Sequence, residues 1–214
     1  MRNTTAAVLA LATAVALTGC ETMTDTQRNT ALGVGIGALA GAGIAKATGG
    51  KAGTGALIGA AVGGVGTYIW SANMERQRQE LEAATRGTGV TVSRTADNQL
   101  QLAIPSDISF DSNSATIKSQ FRPVLNSFTD SLRRNPGTHV VIVGHTDSTG
   151  GAHINDPLSL NRANAARDYI FNQGVRGPRI QTEGRGAREP LASNESAWGR
   201  AKNRRIDIFV AQAQ

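Results

Sequence analysis

Thirteen of the 25 glycines lie in residues 31–70, a stretch with no acidic residue and two basic ones, Lys46 and Lys51. Glycine in a helix interior costs up to about 1 kcal/mol relative to alanine. So much of it cannot build an ordinary side-chain core. The stretch needs a tight partner or an apolar surrounding, and it divides the chain. Behind it, roughly 130 residues are long enough to bury the core of a small domain. Their regular apolar patterns exclude wholesale disorder.

Inside the stretch, Gly33, Gly37 and Gly41 recur every four residues, and so do Gly55, Gly59 and Gly63. Residues four apart share one helix face, and a glycine stripe lets two backbones approach closely. Lys46-Ala47-Thr48-Gly49-Gly50-Lys51 reads as the turn of a helical hairpin. At 1.5 Å per residue the first helix spans about 22 Å, against a hydrocarbon core of about 30 Å; the second just reaches. Insertion in a membrane, packing of the hairpin on itself, oligomer formation and a low-complexity spacer all stay open. A phosphate-binding loop does not fit. Gly50-Lys51 is followed by Ala52, and Ala45 occupies the motif's first position.

The N-terminus reads as an address. Arg2 gives a positive start, residues 6–17 are apolar, and Leu17-Thr18-Gly19-Cys20 closes the run. The run is shorter than the ~20 residues of a spanning helix and fits the apolar region of a secretory signal. Cys20 is the sole cysteine, which excludes an intramolecular disulfide and a cysteine-based zinc site. The segment resembles a bacterial lipobox. That resemblance implies lipidation of Cys20 and removal of residues 1–19. Two acyl chains would anchor firmly where one would be marginal. Glu21 stands where an Asp would imply inner-membrane retention, so the resemblance implies the outer membrane. Residues 20–30 are a polar tether. Residues 71–89 are charged and Gln-rich, and are expected to extend the second glycine helix until Gly87 and Gly89 end it.

Residues 90–214 read as a folded domain. Val90 and Val92, then Leu100, Leu102 and Ile104, alternate with polar residues around Asp97-Asn98, the pattern of a β-hairpin. Phe110 to Ser114 form a loop. Ile117, Phe121, Val124, Leu125, Phe128 and Leu132 follow at helical spacing. Pro123 belongs in a first turn, which puts the helix start near Ser119 to Arg122. Val140-Val141-Ile142-Val143 suits a strand buried on both faces. The polar loop Gly144-His145-Thr146-Asp147-Ser148-Thr149-Gly150 follows it. Asp156-Pro157 is expected to start the next helix, with the Asp as cap. Ile180 to Glu183 is a short strand, and Ile206, Ile208 and Val210 mark the last one. The order βαβαβ behind a hairpin predicts an α+β or α/β sandwich with helices on one face of the sheet.

Enzymatic chemistry finds little support. His139, His145 and His153 lack the spacing of a zinc protease. There is no Gly-x-Ser-x-Gly elbow, and no cofactor or metal is called for. Glu183, Glu189 and Glu195 show no carboxylate partner of the kind a glycan hydrolase needs. Few aromatics argue against base stacking, and nucleic acid is not an expected partner. The net charge of +6 suits a negative partner such as nucleic acid, an acidic polymer or a lipid surface, or is ordinary solubilising charge, and no block of five like charges argues for a nucleic-acid tail. Trp198 is expected to pack rather than stack on sugar.

Gly144-His145-Thr146-Asp147, Leu158-Ser159-Leu160-Asn161-Arg162-Ala163 and Asn203-Arg204-Arg205-Ile206 occur in order. Together they resemble the OmpA C-terminal-like, peptidoglycan-associating domain over roughly residues 104–210. Phe110-Asp111 and Gly174-Val175 fit the same pattern. Residues 31–70 resemble the glycine-zipper segment of outer-membrane lipoproteins. The resemblance implies the α+β OmpA-like fold, and noncovalent binding of peptidoglycan through the meso-diaminopimelate of its stem peptide. The side chain of that residue ends in an ammonium and a carboxylate on one carbon, so a receptor needs an acid and a base close together. The resemblance assigns the ammonium to Asp147 and the carboxylate to Arg162, whose planar fork matches it. Thr146, Thr149 and Asn155 match pocket positions, with Asp111 and Arg204 at the edge. A plain internal salt bridge between Asp147 and Arg162 is the alternative on chemistry alone. Asn203 and Arg205 are expected to secure loops and strand ends. The resulting expectation is a non-enzymatic tether between outer membrane and wall, or an oligomerising assembly subunit that wall binding merely positions.

Overall fold

The computed structural model describes residues 68–212. The signal segment, the lipidated tether and nearly all of the glycine hairpin lie outside the described residues. Among the described residues no helix is long and apolar enough to cross a membrane.

Five strands form one sheet in the order β1-β2-β5-β3-β4. The hairpin is as expected: β1 (Thr91–Arg94) pairs antiparallel with β2 (Leu100–Pro105), and Asn98 takes a positive φ of 63° in the turn. Strand β5 (Arg205–Gln212) inserts antiparallel between β2 and β3 (Thr138–His145), and β4 (Ile180–Gly186) runs parallel to β3 at the edge. The central place of β3 explains its continuous β-branched run, since Val140, Val141, Ile142 and Val143 are all buried.

Helices α1 (Ala72–Ala84), α3 (Arg122–Arg134) and α4 (Ala152–Asn172) belong to one sheet face. There Leu102, Ile104, Ile142, Ile206 and Ile208 meet Leu125, Phe128, Leu132, Ala163 and Ile170 in one core. The opposite face carries a smaller cluster of Tyr68, Val141, Val143, Phe209 and Ala211. Two short helices, α2 (Ser106–Ser109) and α5 (Ala197–Asn203), complete the chain. Both are too short for a periodic signal in the sequence.

Three local expectations are corrected. First, α1 does not continue a preceding helix. Ser71 is extended at φ −86° and ψ 166°, and its side chain accepts a bond from the Met74 N–H. Met74 and Leu81 then join the main core, so this helix is packed rather than a free linker. Second, α4 begins at Ala152, and Pro157 lies inside it. The missing N–H would have served the carbonyl of His153, an exposed residue whose carbonyl water can satisfy. The added turn carries Asn155, which is buried. Third, β4 runs on through Gly184 to Gly186. The reason is close packing: a Cβ at Gly184 would lie 2.6 Å from the Leu160 nitrogen of α4. At the neighbouring position of β3, a Cβ at Gly144 would lie 2.0 Å from the Ser159 carbonyl oxygen. Glycines under α4 thus let its first half settle on the end of β3.

The start of α3 is as expected, with a 3-10 turn at Ser119–Phe121 and Pro123 in the first turn.

Candidate functional site

The loop after β3 and the first half of α4 meet over the sheet end, and the expected residues gather there. Thr146 closes the strand; its N–H donates to the Gly186 carbonyl at 2.9 Å. Its hydroxyl is buried and has no hydrogen-bond partner among the described residues. Asp147 follows, with its side chain 11% exposed. Its Oδ1 accepts the Thr149 N–H at 2.9 Å, and its backbone carbonyl accepts Asn155 Nδ2 at 3.1 Å. Thr149 is exposed, and both its backbone N–H and its hydroxyl serve the Asp147 carboxylate.

Arg162 is 3% exposed and sits beneath this loop. Its Nε donates to the Ser114 carbonyl at 2.8 Å and its Nη2 to the Asp111 carbonyl at 3.2 Å. Its guanidinium carbon lies 5.4 Å from the Phe110 ring centroid, a cation–π distance. The expected alternative, a salt bridge between Asp147 and Arg162, is not the arrangement found. Asp147 Oδ2 instead accepts Arg204 Nη1 at 2.9 Å. Arg204 also reaches Asp107 on α2, with Nη2 3.3 Å from both carboxylate oxygens. Arg204 therefore bridges Asp147 and Asp107. Asp111 offers Arg162 its carbonyl, while its carboxylate is 71% exposed and pairs with Lys118 at 3.3 Å.

The charges explain the protonation tendencies. Burial pushes the Asp147 carboxyl up, but the hydrogen bonds from Arg204 and Thr149 outweigh it and hold the group below its ordinary range. Arg162 moves down through burial first and the neighbouring Arg204 charge second. Arg204 moves up, chiefly through its bond to Asp147. Two guanidiniums and two carboxylates thus converge. Arg162 is the cation whose direct hydrogen-bond partners are backbone carbonyls, so no carboxylate is bonded to it. The Asp147 carboxylate accepts from Arg204 and from the backbone and hydroxyl of Thr149, and a carboxylate offers about four lone-pair sites. Arg162 thus brings a buried positive charge with no bonded carboxylate into the electrostatic range of Asp147.

Asp107 escaped the sequence reading. It lies 97 positions from Arg204 in a four-residue helix, and nothing local marks it. Asn194 was missed likewise. Its Oδ1 accepts the Ser148 N–H at 3.2 Å and Asn203 Nδ2 at 2.9 Å. Asn203 and Arg205 hold loops as expected. Asn203 Oδ1 accepts the Leu191 and Ala192 N–H groups, and Arg205 Nε donates to Asp207 Oδ2 at 2.8 Å. Glu183 and Glu189 are not lone acids, because Arg185 lies between them and bonds both. Trp198 departs from its expected packing role and is 69% exposed. Among the described residues no group of three or more His, Cys, Asp or Glu is placed to hold a metal ion.

The OmpA family model matches residues 109–204, and the model of the YMGG-like Gly-zipper matches residues 1–75. The chain is 42% identical over 209 residues to the probable lipoprotein YiaD of Escherichia coli strain K12, across 92% of the chain and 93% of that protein. Over 103 residues it is 43% identical to the peptidoglycan-binding protein ArfA of Mycobacterium tuberculosis strain H37Rv, across 48% of the chain and 32% of that protein. Among solved structures, the cell wall anchor of the T6SS from Pseudomonas aeruginosa matches with a TM-score of 0.57 and 32% identity, across 65% of this chain and 98% of that one. The α+β sandwich, the motifs at its strand end and these likenesses agree: the chain belongs to the OmpA family as a YiaD-like member, with a YMGG-like Gly-zipper ahead of its OmpA domain.

Proposed function

We propose that the protein is a non-enzymatic tether. Lipid on Cys20 holds it to the outer membrane, and the folded domain in the periplasm binds peptidoglycan noncovalently through meso-diaminopimelate. Residues 1–19 are the signal, residues 20–30 the tether, residues 31–70 the glycine hairpin, residues 71–89 the charged helical segment, and residues 90–214 carry the wall-binding motifs. One observation carries the reading. Arg162 is buried without a bonded carboxylate, beside an Asp147 that still has acceptor capacity. In this assignment Arg162 takes the ligand carboxylate and Asp147 its ammonium. Thr146 supplies a hydroxyl, and Asn155 fixes the Asp147 loop. Arg204 holds Asp147 ionised and in place. The likeness to ArfA, whose name gives peptidoglycan binding, supports the ligand class.

The test is sedimentation of the detergent-solubilised protein with purified peptidoglycan, with and without free meso-diaminopimelate. Asp147→Ala and Arg162→Ala are compared after melting curves show them folded. Competition by the free amino acid and loss of binding in both variants are expected. Full binding by both folded variants refutes the assignment.

A second reading follows from the likeness to a T6SS wall anchor: wall binding positions a larger assembly that the glycine hairpin builds. Oligomer size by light scattering, with and without residues 31–70, separates the two. A monomer in both forms leaves the simple tether.

A further inference from the structure

We propose that Trp198 is a platform for a sugar ring of the glycan strand, placed one stem peptide away from the diaminopimelate clasp. This deepens the wall-binding reading and rests on it. Among the described residues Trp198 is the most exposed of the large apolar side chains, at 69%. It is nevertheless rigidly mounted. The next residue, Gly199, is buried so tightly that a Cβ there would lie 1.9 Å from the Ser193 carbonyl oxygen. One turn on, Asn203 is fully buried and bonded to the Ala192 carbonyl and to Asn194. Helix α5 is therefore pinned to the loop that precedes it, and that loop reaches the clasp through Asn194 and Ser148. At the other end, α5 leads directly into Arg204, which bonds Asp147.

The spacing suits the polymer. Trp198 precedes Arg204 by six residues, about 9 Å along a helix. In a peptidoglycan stem the diamino acid is the third residue from the muramic acid, and three extended residues span about 10 Å. A ligand clasped at Asp147 and Arg162 would thus extend a sugar over a length comparable to α5, whose C-terminal neighbour Arg204 bonds Asp147. An indole face attracts the C–H face of a pyranose, whose C–H groups are slightly positive, as an aromatic edge is attracted to an aromatic face. Lys202 Nζ lies 5.7 Å from the ring centroid and enriches the site in positive charge, suited to the stem's carboxylates. The surroundings argue against a protein contact. Glu195 and Ser196 are exposed beside Trp198, and Arg200 and Lys202 follow on the same helix. A protein interface core is depleted in charge and richer in apolar side chains.

Calorimetry on the detergent-solubilised full-length protein tests this with two ligands. One is the tripeptide L-Ala-D-Glu-meso-diaminopimelate; the other is the same peptide on the N-acetylglucosaminyl-N-acetylmuramyl disaccharide. The wild type is expected to bind the disaccharide form about fivefold tighter. Trp198→Ala is expected to lose that preference while keeping its tripeptide affinity and melting temperature, and Trp198→Phe to keep part of it. Equal affinities for both ligands in the wild type overturn the platform and leave the clasp standing. Binding of neither ligand overturns the clasp, and the platform with it. A preference retained in Trp198→Ala, with loss of that variant's binding to anionic phospholipid vesicles instead, assigns the indole to a membrane surface and overturns the proposal.

Discussion

Asp147 is held by two donors and opposed by burial, so its behaviour depends on Arg204. In Arg204→Ala the burial remains and the strongest stabilising bond is gone. The Asp147 carboxyl should then titrate at higher pH than in the wild type, as read by carboxyl carbon NMR. The stability effect has a definite sign. A depressed folded pKa contributes stability that is fully present above the unfolded value of about 4 and is lost as pH falls through the folded value. The variant should therefore be about 1–2 kcal/mol less stable at pH 7 in denaturant titrations. That gap should close as the pH is lowered past the depressed value. Asp207 follows the same rule more deeply in the protein. Burial pushes it up, but His145 and Arg205 together hold it below its ordinary range. In Asp207→Ala the Arg205 side chain, 7% exposed, loses its carboxylate. Breaking such a pair costs about 3–5 kcal/mol, so a drop in melting temperature on the order of 10 °C is expected.

The elements meet at glycine-lined contacts, and this is where the site's geometry is set. Helix α4 carries Asn155, Ser159 and Arg162 along the face turned to the sheet, followed by Ala163 and Ala166. It can lie over β3 and β4 because Gly144 and Gly184 offer no side chain against Ser159 and Leu160. Gly144→Ala places a methyl against backbone, which cannot yield as a flexible side chain can. Overpacking of this kind costs about 1–3 kcal/mol. Since α4 must lift to admit the methyl, Arg162 moves away from Asp147. The variant should lose wall binding in sedimentation under conditions where calorimetry still shows a cooperative melt. Normal binding by Gly144→Ala would mean that the clasp does not depend on this helix seat. Trp198 and Arg204 likewise stand at opposite ends of one short helix, so α5 sets their separation as a unit.

At the scale of the whole molecule, the folded unit reaches further toward the N-terminus than the family motifs do. Helix α1 places Met74 and Leu81 in the main core, each 1% exposed. Full burial of such a side chain contributes about 1.5–3 kcal/mol. A fragment beginning at residue 87 loses both. It should unfold at lower denaturant than a fragment beginning at residue 68, by about 3–5 kcal/mol extrapolated to water. Equal stability of the two fragments would make α1 an ornament on the domain rather than part of it. The same packing brings the chain out of the glycine segment beside the end of β5, where the Ile69 N–H donates to the Gln212 carbonyl at 3.4 Å.

The sequence by itself determined what local chemistry can determine. Alternation marked the hairpin and β5, the β-branched run marked a doubly buried β3, and Pro123 marked the start of α3. Family motifs singled out Asp147 and Arg162 because they sit in short, characteristic strings. The tertiary structure decided what depends on residues far apart in the chain. It chose Arg204 over Arg162 as the partner of Asp147, and it added Asp107 from 97 positions away. It carried α4 back through Pro157, since packing on the sheet outweighs the loss of one hydrogen bond at an exposed turn. It also left Trp198 in solvent, because buried Gly199 and Asn203 claim the inner face of α5. Periodicity reports which residues can share a face; which face is covered, and by what, is settled where distant segments compete for the same contact.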